Sequence, residues 1–317
     1  RSIEVYYHGV TIKGTGICMP DKINSNASIE AGANTTSAWI EDRLGIYERR
    51  IAEDQTVSDL GVLAAKQAMA NANLTEDDID MIVVVTSSPE RISPATACTI
   101  HRKLKFSKNI PSFDVNAVCA GFVFAMNICA PMISSKQYKN ILIIGTETYS
   151  RITDWSDRNC VFFGDGAAAV ILGQSRKGWV YGVINSNGSG SGATGFNCPL
   201  DSTYSTNPKE VWDAAVTFLP DSIRNILADT DLTVDDIEMF FPHQASINML
   251  KEICTQVGLE HSKIKKVMHK YGNIAGASIP IALHDAFSNN EITKGDKILL
   301  TAVGSGWSWG SIVMNYE

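Results

Sequence analysis

Short runs of apolar residues alternate along this chain with longer stretches in which apolar positions recur every three or four residues. The runs at residues 81–85 and 141–144 have the length of buried β-strands. Ahead of the first run, apolar side chains fall on one face of a helix, at Val62, Ala65, Ala68 and Met69. Continuous apolar strands separated by such helices are typical of parallel sheets covered by helices. The pattern therefore predicts a layered α/β protein.

The chain carries an internal repeat. Residues 74–81 have the sequence LTEDDIDM, and residues 232–239 have the sequence LTVDDIEM, 158 positions later. Residues 140–144 are echoed at residues 297–300, with an offset of 157 positions. Because the two echoes come in the same order and at nearly the same offset, they indicate a duplication.

The duplication divides the chain into two predicted halves, residues 1–175 and residues 176–317. A binding site is expected where two such halves meet. The loosest stretch, residues 185–208, is rich in Ser, Gly, Asn and Thr and lies just after the midpoint. We predict that this stretch is a surface excursion and not a linker between free domains.

Composition and charge exclude several classes of protein. The chain has 317 residues, 44% of them hydrophobic, which is incompatible with a disordered chain. Its net charge of −7 argues against a nucleic-acid partner. No run reaches the roughly 18 apolar residues of a membrane span, and the first residues do not resemble a signal peptide. We expect a globular cytoplasmic protein with no membrane partner.

One of the seven cysteines occupies an unusual position. The set contains no C-x-x-C pair and no metal-ligand spacing, which favours a reduced protein without a metal site. Cys119 follows a short strand and precedes a helix that is apolar nearly all round. The positive end of a helix dipole favours thiolate over thiol at such a position. The alternative is a small side chain packed at a tight turn; Cys129, inside the helix, is predicted to be core.

Three further features could assist a thiolate nucleophile, which needs a group that moves protons or stabilises charge. His243 directly follows the strand of the second repeat, and strand ends carry the chemistry of many α/β proteins. Asn273 precedes an apolar helix, where its amide could donate to an oxyanion or could simply cap the helix. The Gly-rich residues 304–310 could present backbone N–H groups or form only a turn. For His243, too, a structural role is the alternative.

Together these motifs resemble the thiolase-fold condensing enzymes and, within them, the β-ketoacyl-ACP synthase III family. The similarity runs nearly the whole length of the chain and is carried by residues 36–49, 114–121, 164–168, 242–245, 271–273 and 304–310. The resemblance implies a five-layered αβαβα fold built from two duplicated halves. It also implies a homodimer.

The resemblance further implies an acyltransferase of fatty-acid biosynthesis. Cys119 would take an acyl group from acyl-CoA as a thioester. His243 and Asn273 would stabilise the enolate that forms when malonyl-ACP loses CO₂, and this carbanion would attack the acyl group to give β-ketoacyl-ACP. The backbone N–H groups of Cys119 and Ser305 would form the oxyanion hole. No metal and no redox cofactor are implied.

Binding residues for CoA follow from the same resemblance. Trp39 would stack on the adenine, and Arg43 and Arg158 would bind the nucleotide end. Ser246 would line the same site, at a position where the family usually has an Asn that holds the pantetheine arm.

Three of the departures from the family pattern bear on the substrate. Ser93 stands where an aromatic residue often reaches into the acyl pocket of the partner subunit, so the pocket could accept chains longer than acetyl. Ser246 and Asn248 stand where enzymes of primary metabolism usually have Asn and Arg. These departures leave open a specialised synthase of secondary metabolism that makes resorcinol-, quinolone- or longer-chain products.

A third hypothesis is a non-catalytic, acyl-binding subunit, but such proteins lack the Cys, His or Asn that this chain retains. An acidic enzyme also needs a local basic patch to receive an acidic carrier protein. The candidates are the basic side chains within residues 263–270 and within residues 101–108, which could equally belong to solvated faces.

Overall fold

The computed structural model describes residues 6–190 and 195–317. The elements of the first part are β1 (Tyr7–Cys18), β2 (Lys22–Ser25), α1 (Asn26–Ala33), α2 (Ser37–Leu44), β3 (Glu48–Ile51), α3 (Val57–Ala72), β4 (Met81–Val85), α4 (Thr96–Leu104), β5 (Ser112–Val115), α5 (Gly121–Ser134), β6 (Asn140–Thr148) and β7 (Asp165–Ser186). The elements that follow are β8 (Phe196–Asn197), β9 (Ser205–Thr206), α6 (Pro208–Asp229), β10 (Met239–Pro242), α7 (Ile247–Val257), α8 (Met268–Tyr271), α9 (Ser278–Ser288), β11 (Lys297–Gly304) and β12 (Ser308–Asn315).

The two repeats form the same ladder of strand pairings. In the first, β4 pairs in parallel with β6, and β6 pairs antiparallel with β7. In the second, β10 pairs in parallel with β11, and β11 pairs antiparallel with β12. Met81 lies opposite Ile141, and Met239 lies opposite Ile298. The two methionines are equivalent positions of the sequence repeat, so the duplication extends to the register of the hydrogen bonds.

Strand β7 joins the two repeats. It is 22 residues long; its first part pairs with β6 and β1, and its last part pairs with β12. The boundary predicted between residues 175 and 176 lies within this strand. The division into two halves at that point stays a prediction.

Three clusters of buried apolar side chains separate the layers. The first joins α5 and α9 to the facing sides of both sections of sheet, through residues such as Val83 and Leu300. The second packs α3 and α4 against the outer side of one section, through Ile82. The third packs α6 and α7 against the outer side of the other section, through Leu299. Because successive strand residues point to opposite faces, neighbours such as Ile82 and Val83 enter different clusters.

The order of layers is therefore helix, sheet, helix, sheet, helix, and the five-layered αβαβα fold predicted from the sequence is confirmed. Strand ends of both sections meet the N-termini of the central helices α5 and α9, where the predicted site residues lie. No helix in residues 6–190 and 195–317 has the length and apolar character required to cross a membrane.

Part of the segment of residues 185–208 differs from the prediction. Residues 191–194 of this segment lie outside the described residues. Tyr204 is buried, and the rings of Phe196 and Tyr204 stack with centroids 5.2 Å apart. Both rings pack in a cluster with Tyr149 and Phe163. Most other described residues of the segment are exposed, such as Leu200, which is 82% exposed, so the prediction of a surface excursion fails only for these two aromatic side chains.

The duplicated turns before β4 and β10 permit a matched test of stability. The backbone N–H and the hydroxyl of Thr75 donate to Asp78 at 2.9 and 3.0 Å, and those of Thr233 donate to Asp236 at 2.8 and 2.9 Å. We expect Thr75→Ala and Thr233→Ala each to lower the free energy of unfolding by about 1 kcal/mol, measured by urea denaturation. Clearly unequal losses would contradict the equivalence of the two turns.

A suitable control is Thr255→Ala. Thr255 is exposed on α7, and its hydroxyl bonds to the carbonyl oxygen one turn before it, at Lys251. Since this bond caps no helix N-terminus, the change in the free energy of unfolding should stay within about 0.5 kcal/mol.

Candidate active site

A cavity of about 680 Å³ brings the predicted catalytic residues together, and its size is typical of a small-molecule site. Cys119, His243, Asn273 and Ser305 all line it. They come from the short turn before α5, the residue after β10, the segment before α9 and the turn after β11. Four segments distant in sequence thus converge, as the pattern of strand and helix ends predicted.

Cys119 sits on a strained turn. It is the middle residue of a short 3₁₀ helix, Val118–Ala120, which leads directly into α5. Val118 has a φ of +49°, in the left-handed region that β-branched residues avoid. Such a conformation costs about 1–3 kcal/mol and persists only where the surrounding structure imposes it. The backbone therefore holds the thiol in a defined direction.

The electrostatics of Cys119 differ from the prediction. Burial, and then the nearby carboxylate of Glu147, raise the pKa of the thiol well above its usual value. The helix N-terminus was predicted to favour the thiolate. That prediction was wrong for the free protein, because apolar packing around the sulfur disfavours the charged form more than the helix end favours it.

The end of β11 packs directly onto the cysteine turn. A Cβ atom at Gly304 would lie 2.3 Å from the Ala117 carbonyl oxygen and 3.2 Å from the Cys119 nitrogen, so only glycine fits there. The next residue, Ser305, donates its hydroxyl to the Phe196 carbonyl oxygen. Cys119 and Ser305 both line the cavity, and the role of their backbone N–H groups as an oxyanion hole stays a prediction.

His243 is held in its neutral form. Its backbone N–H donates to the Thr301 carbonyl oxygen at 2.8 Å, which ties the residue to β11. The side chain is buried, and burial lowers the pKa of the imidazole to about 3. Its Nδ1 is buried without a hydrogen-bond partner in the part of the chain that the structure describes. A neutral ring of this kind can donate one hydrogen bond and accept another.

Asn273 is oriented by its own backbone neighbourhood. Its backbone N–H donates to the Phe162 carbonyl oxygen at 2.9 Å. Its side-chain Oδ1 accepts the N–H of Ala275 at 2.8 Å. Since the oxygen end of the amide is engaged in this way, the NH₂ end is the one that can donate to a ligand in the cavity. The amide is thus suited to stabilise negative charge on an oxygen atom.

The residues predicted to bind CoA line the same cavity. The guanidinium of Arg158 lies over the Trp39 ring, 4.6 Å from its centre. The side chain of Arg43 is 63% exposed and lies beside Asp42. Ser246 donates its hydroxyl to the Arg43 carbonyl oxygen at 3.0 Å, which ties the start of α7 to the end of α2. Trp39, Arg43, Arg158 and Ser246 are therefore brought together with the cysteine.

Ser93 lies elsewhere. It is exposed on the loop before α4, next to Ile92, which is 77% exposed, and it does not line the cavity of its own chain. The prediction concerned the acyl pocket of a partner subunit, so it stays a prediction.

Sequence reasoning missed most of the apolar wall of the cavity. Phe163 and Phe196 line it near the cysteine, and Trp212 and Trp307 line it elsewhere. Phe163 precedes the Gly164-Asp165-Gly166 motif, and Trp307 lies within the Gly-rich turn, so both were adjacent to recognised signals. Phe196 had no such signal, because it belongs to the segment predicted to be a surface excursion.

In each of the two basic clusters, residues 263–270 and residues 101–108, a lysine forms an ion pair. Lys265 contacts Asp285 and Glu291 at 2.6 and 2.5 Å and is largely buried. Lys103 contacts Asp59 at 2.7 Å. These two lysines are therefore poor candidates for binding a carrier protein. Metal-ligand geometry is likewise missing among residues 6–190 and 195–317, where no three His, Cys, Asp or Glu side chains could hold an ion.

Comparison with known proteins agrees with this architecture. The family model described as 3-oxoacyl-[acyl-carrier-protein (ACP)] synthase III matches residues 113–188, and the model of its C-terminal part matches residues 227–316. A β-ketoacyl-[acyl-carrier-protein] synthase III from Clostridium acetobutylicum is 36% identical, over 98% of this chain and 99% of that protein.

Solved structures have the same fold. The crystal structure of 3-oxoacyl-[acyl-carrier-protein] synthase III from Aquifex aeolicus has a TM-score of 0.94 and is 33% identical, covering 97% of this chain and 100% of that one. The priming β-ketosynthase of the R1128 polyketide pathway has a TM-score of 0.91 at 29% identity, covering 97% of this chain and 96% of that one. The chain belongs to the β-ketoacyl-[acyl-carrier-protein] synthase III family of condensing acyltransferases.

Proposed function

We propose that this enzyme transfers an acyl group from acyl-CoA to Cys119 and condenses it with malonyl-ACP, giving β-ketoacyl-ACP, CoA and CO₂. The observation that carries the proposal is the convergence of Cys119, His243 and Asn273 in the wall of one cavity. A thiol, a neutral imidazole and an amide donor are the groups that acyl transfer and decarboxylative condensation require.

The first step is acyl transfer. Because burial keeps Cys119 as a thiol, its proton must leave as the sulfur attacks the thioester carbonyl. His243 is neutral and can accept that proton. The tetrahedral oxygen would be stabilised by the backbone N–H groups of Cys119 and Ser305. The bond to CoA then breaks, and the CoA thiolate takes the proton from His243.

The second step is condensation. The malonyl C–C bond breaks, CO₂ leaves, and the electron pair is delocalised onto the thioester oxygen as an enolate. His243 and the NH₂ group of Asn273 donate hydrogen bonds to this oxygen. The enolate carbon attacks the acyl group on Cys119, the C–S bond breaks, and the Cys119 thiolate takes up one proton. Loss of CO₂ makes the step hard to reverse.

The cavity also has an entrance suited to CoA. Trp39 provides a flat aromatic face for the adenine, and Arg43 and Arg158 provide positive charge for the phosphates. The apolar side chains between this entrance and the cysteine suit the pantetheine arm. No metal and no redox cofactor enter either step of the proposed reaction.

The proposal includes a cytoplasmic homodimer. All seven cysteines are unpaired, as is usual for a protein of a reducing compartment. The exposed side chain of Ile92, beside Ser93, is a candidate for burial against a second copy.

A specialised synthase of secondary metabolism remains the second candidate. It is favoured by Ser246, which stands where the family usually has an Asn that holds the pantetheine arm. The Ser246 hydroxyl donates instead to the Arg43 carbonyl oxygen. The similarity to the priming β-ketosynthase of a polyketide pathway points in the same direction. The two candidates differ in the acyl donor, since a synthase that primes fatty-acid synthesis takes short acyl groups and a specialised one takes longer or aryl groups.

Intact-protein mass spectrometry tests the proposal directly. We expect a mass increase equal to the acyl group when the enzyme is incubated with acetyl-CoA, and its loss when malonyl-ACP is added. Cys119→Ala should abolish loading, whereas Cys129→Ala, a buried cysteine of α5, should retain it. Condensation at the wild-type rate by Cys119→Ala would contradict the nucleophile, and loading only by longer or aryl donors would favour the second candidate.

A pH profile tests the state of His243. Because its pKa is lowered to about 3, the ring stays neutral far below the usual histidine pKa of about 6.5. The rate of malonyl-ACP decarboxylation should therefore not fall as the pH is lowered through the usual histidine pKa of about 6.5. Asn273→Ala should lower this rate on the order of 10²-fold without introducing such a fall. An acid limb near the usual histidine pKa in the wild type would contradict a neutral donor.

Substitution of Trp39 tests the CoA entrance. Trp39→Ala should raise the KM for acyl-CoA roughly tenfold, because stacking of a base on an aromatic ring is lost. The same variant should load acyl-pantetheine, which lacks the nucleotide, as the wild type does. An equal rise in KM with both donors would contradict a contact between Trp39 and the adenine.

A further inference from the structure

A carboxyl group that the mechanism above does not use is buried beside the nucleophile. Glu147, near the end of β6, is fully buried. Its oxygens accept hydrogen bonds from the Thr86 hydroxyl at 3.2 Å and from the backbone N–H groups of Ser87 and Ser88 at 3.1 and 3.0 Å. The hydroxyls of Ser87 and Ser88 donate to it as well. All these donors are uncharged, and burial raises the pKa of the carboxyl to about 7.

Ser87 links this carboxyl group to an aromatic ring. Its Oγ lies 3.0 Å from Oε1 of Glu147 and 2.8 Å from the hydroxyl of Tyr149. Tyr149 is fully buried and stacks on Phe163, with ring centroids 4.5 Å apart. Phe163 in turn lines the large cavity. A continuous series of contacts therefore joins Glu147 to the cavity wall.

The same series of contacts lies beside Cys119, the residue that would carry the acyl group. Cys119 packs against the aromatic cluster that contains Tyr149 and Phe163. A smaller cavity of about 260 Å³ adjoins the large one and shares Val118, Phe196 and Ser305 with it. Ser87 lines this smaller cavity. The space beside Cys119 therefore has the aromatic cluster in its wall and adjoins a cavity lined by Ser87, the middle residue of the segment 86–88 (the Ser87 segment).

We propose that Glu147 is a positioning residue that holds Ser87 and Tyr149 in place and thereby restricts the acyl group on Cys119 to short chains. Its carboxylate accepts hydrogen bonds from three consecutive residues, 86–88. This segment cannot move away from the cysteine without breaking several buried hydrogen bonds. Longer chains would have to displace the Tyr149 ring or the Ser87 segment. The inference rests on the proposed function and names the acyl class that the site takes.

The experiment compares acylation rates with octanoyl-CoA and acetyl-CoA, followed by mass spectrometry of the intact enzyme. Glu147→Gln brings an NH₂ group towards the N–H groups of Ser87 and Ser88, so the segment must shift. Tyr149→Leu removes the ring itself. Each variant should raise the ratio of octanoyl to acetyl rates roughly tenfold, the discrimination typical of a hydrophobic pocket that changes by a methylene or more.

The double variant tests whether the two residues act together. If Glu147 acts through Tyr149, combining both changes should raise the ratio little more than either change alone. Tyr204→Phe is the matched control, because Tyr204 packs in the same aromatic cluster but donates its hydroxyl to the Asn159 carbonyl oxygen at 2.6 Å. The ratio should not change in this control.

The ratio of octanoyl to acetyl acylation rates does not depend on the fraction of folded enzyme. A purely structural role for Glu147 would therefore leave this ratio unchanged. If Glu147→Gln does not fold, Ser87→Ala breaks the same link with a smaller change and should shift the ratio in the same direction. An unchanged ratio in Ser87→Ala and Tyr149→Leu, with normal acetyl loading, would overturn the inference and leave the proposed function intact. Failure of the wild type to load any donor would instead overturn the proposed function.

Discussion

The approach of β11 to the cysteine turn is the contact on which the site depends. At Gly304 the two segments are so close that even a Cβ atom would overlap the Ala117 carbonyl oxygen. This contact joins the second repeat, which carries His243 and Asn273, to the first, which carries Cys119. The strained backbone at Val118 is maintained by the same packing. The meeting of the two repeats at the site therefore follows from backbone proximity.

Much of this arrangement could be predicted from the sequence, because the repeat preserves both residue order and strand register. Met81 and Met239 mark equivalent strands of the repeat. The apolar pattern also predicts the strand that ends before His243 and the helix that begins after Asn273. The raised pKa of Cys119 could not be predicted in this way. It arises from burial and then from the nearby Glu147, and the side chains that pack around Cys119, including Tyr149 and Tyr204, come from distant parts of the chain. Local sequence predicts the helix end beside the sulfur but not what covers it.

The electrostatic state of the site follows from that burial. Both Cys119 and His243 are neutral, because neither a thiolate nor an imidazolium is well solvated in the apolar surroundings. Charge then appears only during reaction: on the imidazole and the tetrahedral oxygen during acyl transfer, on the enolate oxygen during condensation, and briefly on the leaving sulfur in each step. Fixed N–H donors stabilise such transient charge most effectively in a site of low polarity, since they need no reorganisation. Burial thus disfavours a resting thiolate and strengthens the donors that act on the transition state.

Glu147 illustrates how the same environment is used for positioning. Among the described residues, the buried carboxyl group of Glu147 forms no ion pair with a cation, which is costly, and hydrogen bonds from Thr86, Ser87 and Ser88 offset this cost. Those bonds orient three residues at once, which an apolar side chain in the same place could not do. Because the segment so fixed lies against the space beside Cys119, a polar group that never touches the substrate can determine which acyl groups fit there. The length of the acyl chain would then depend on hydrogen bonding behind the aromatic wall as much as on the size of the rings that form it.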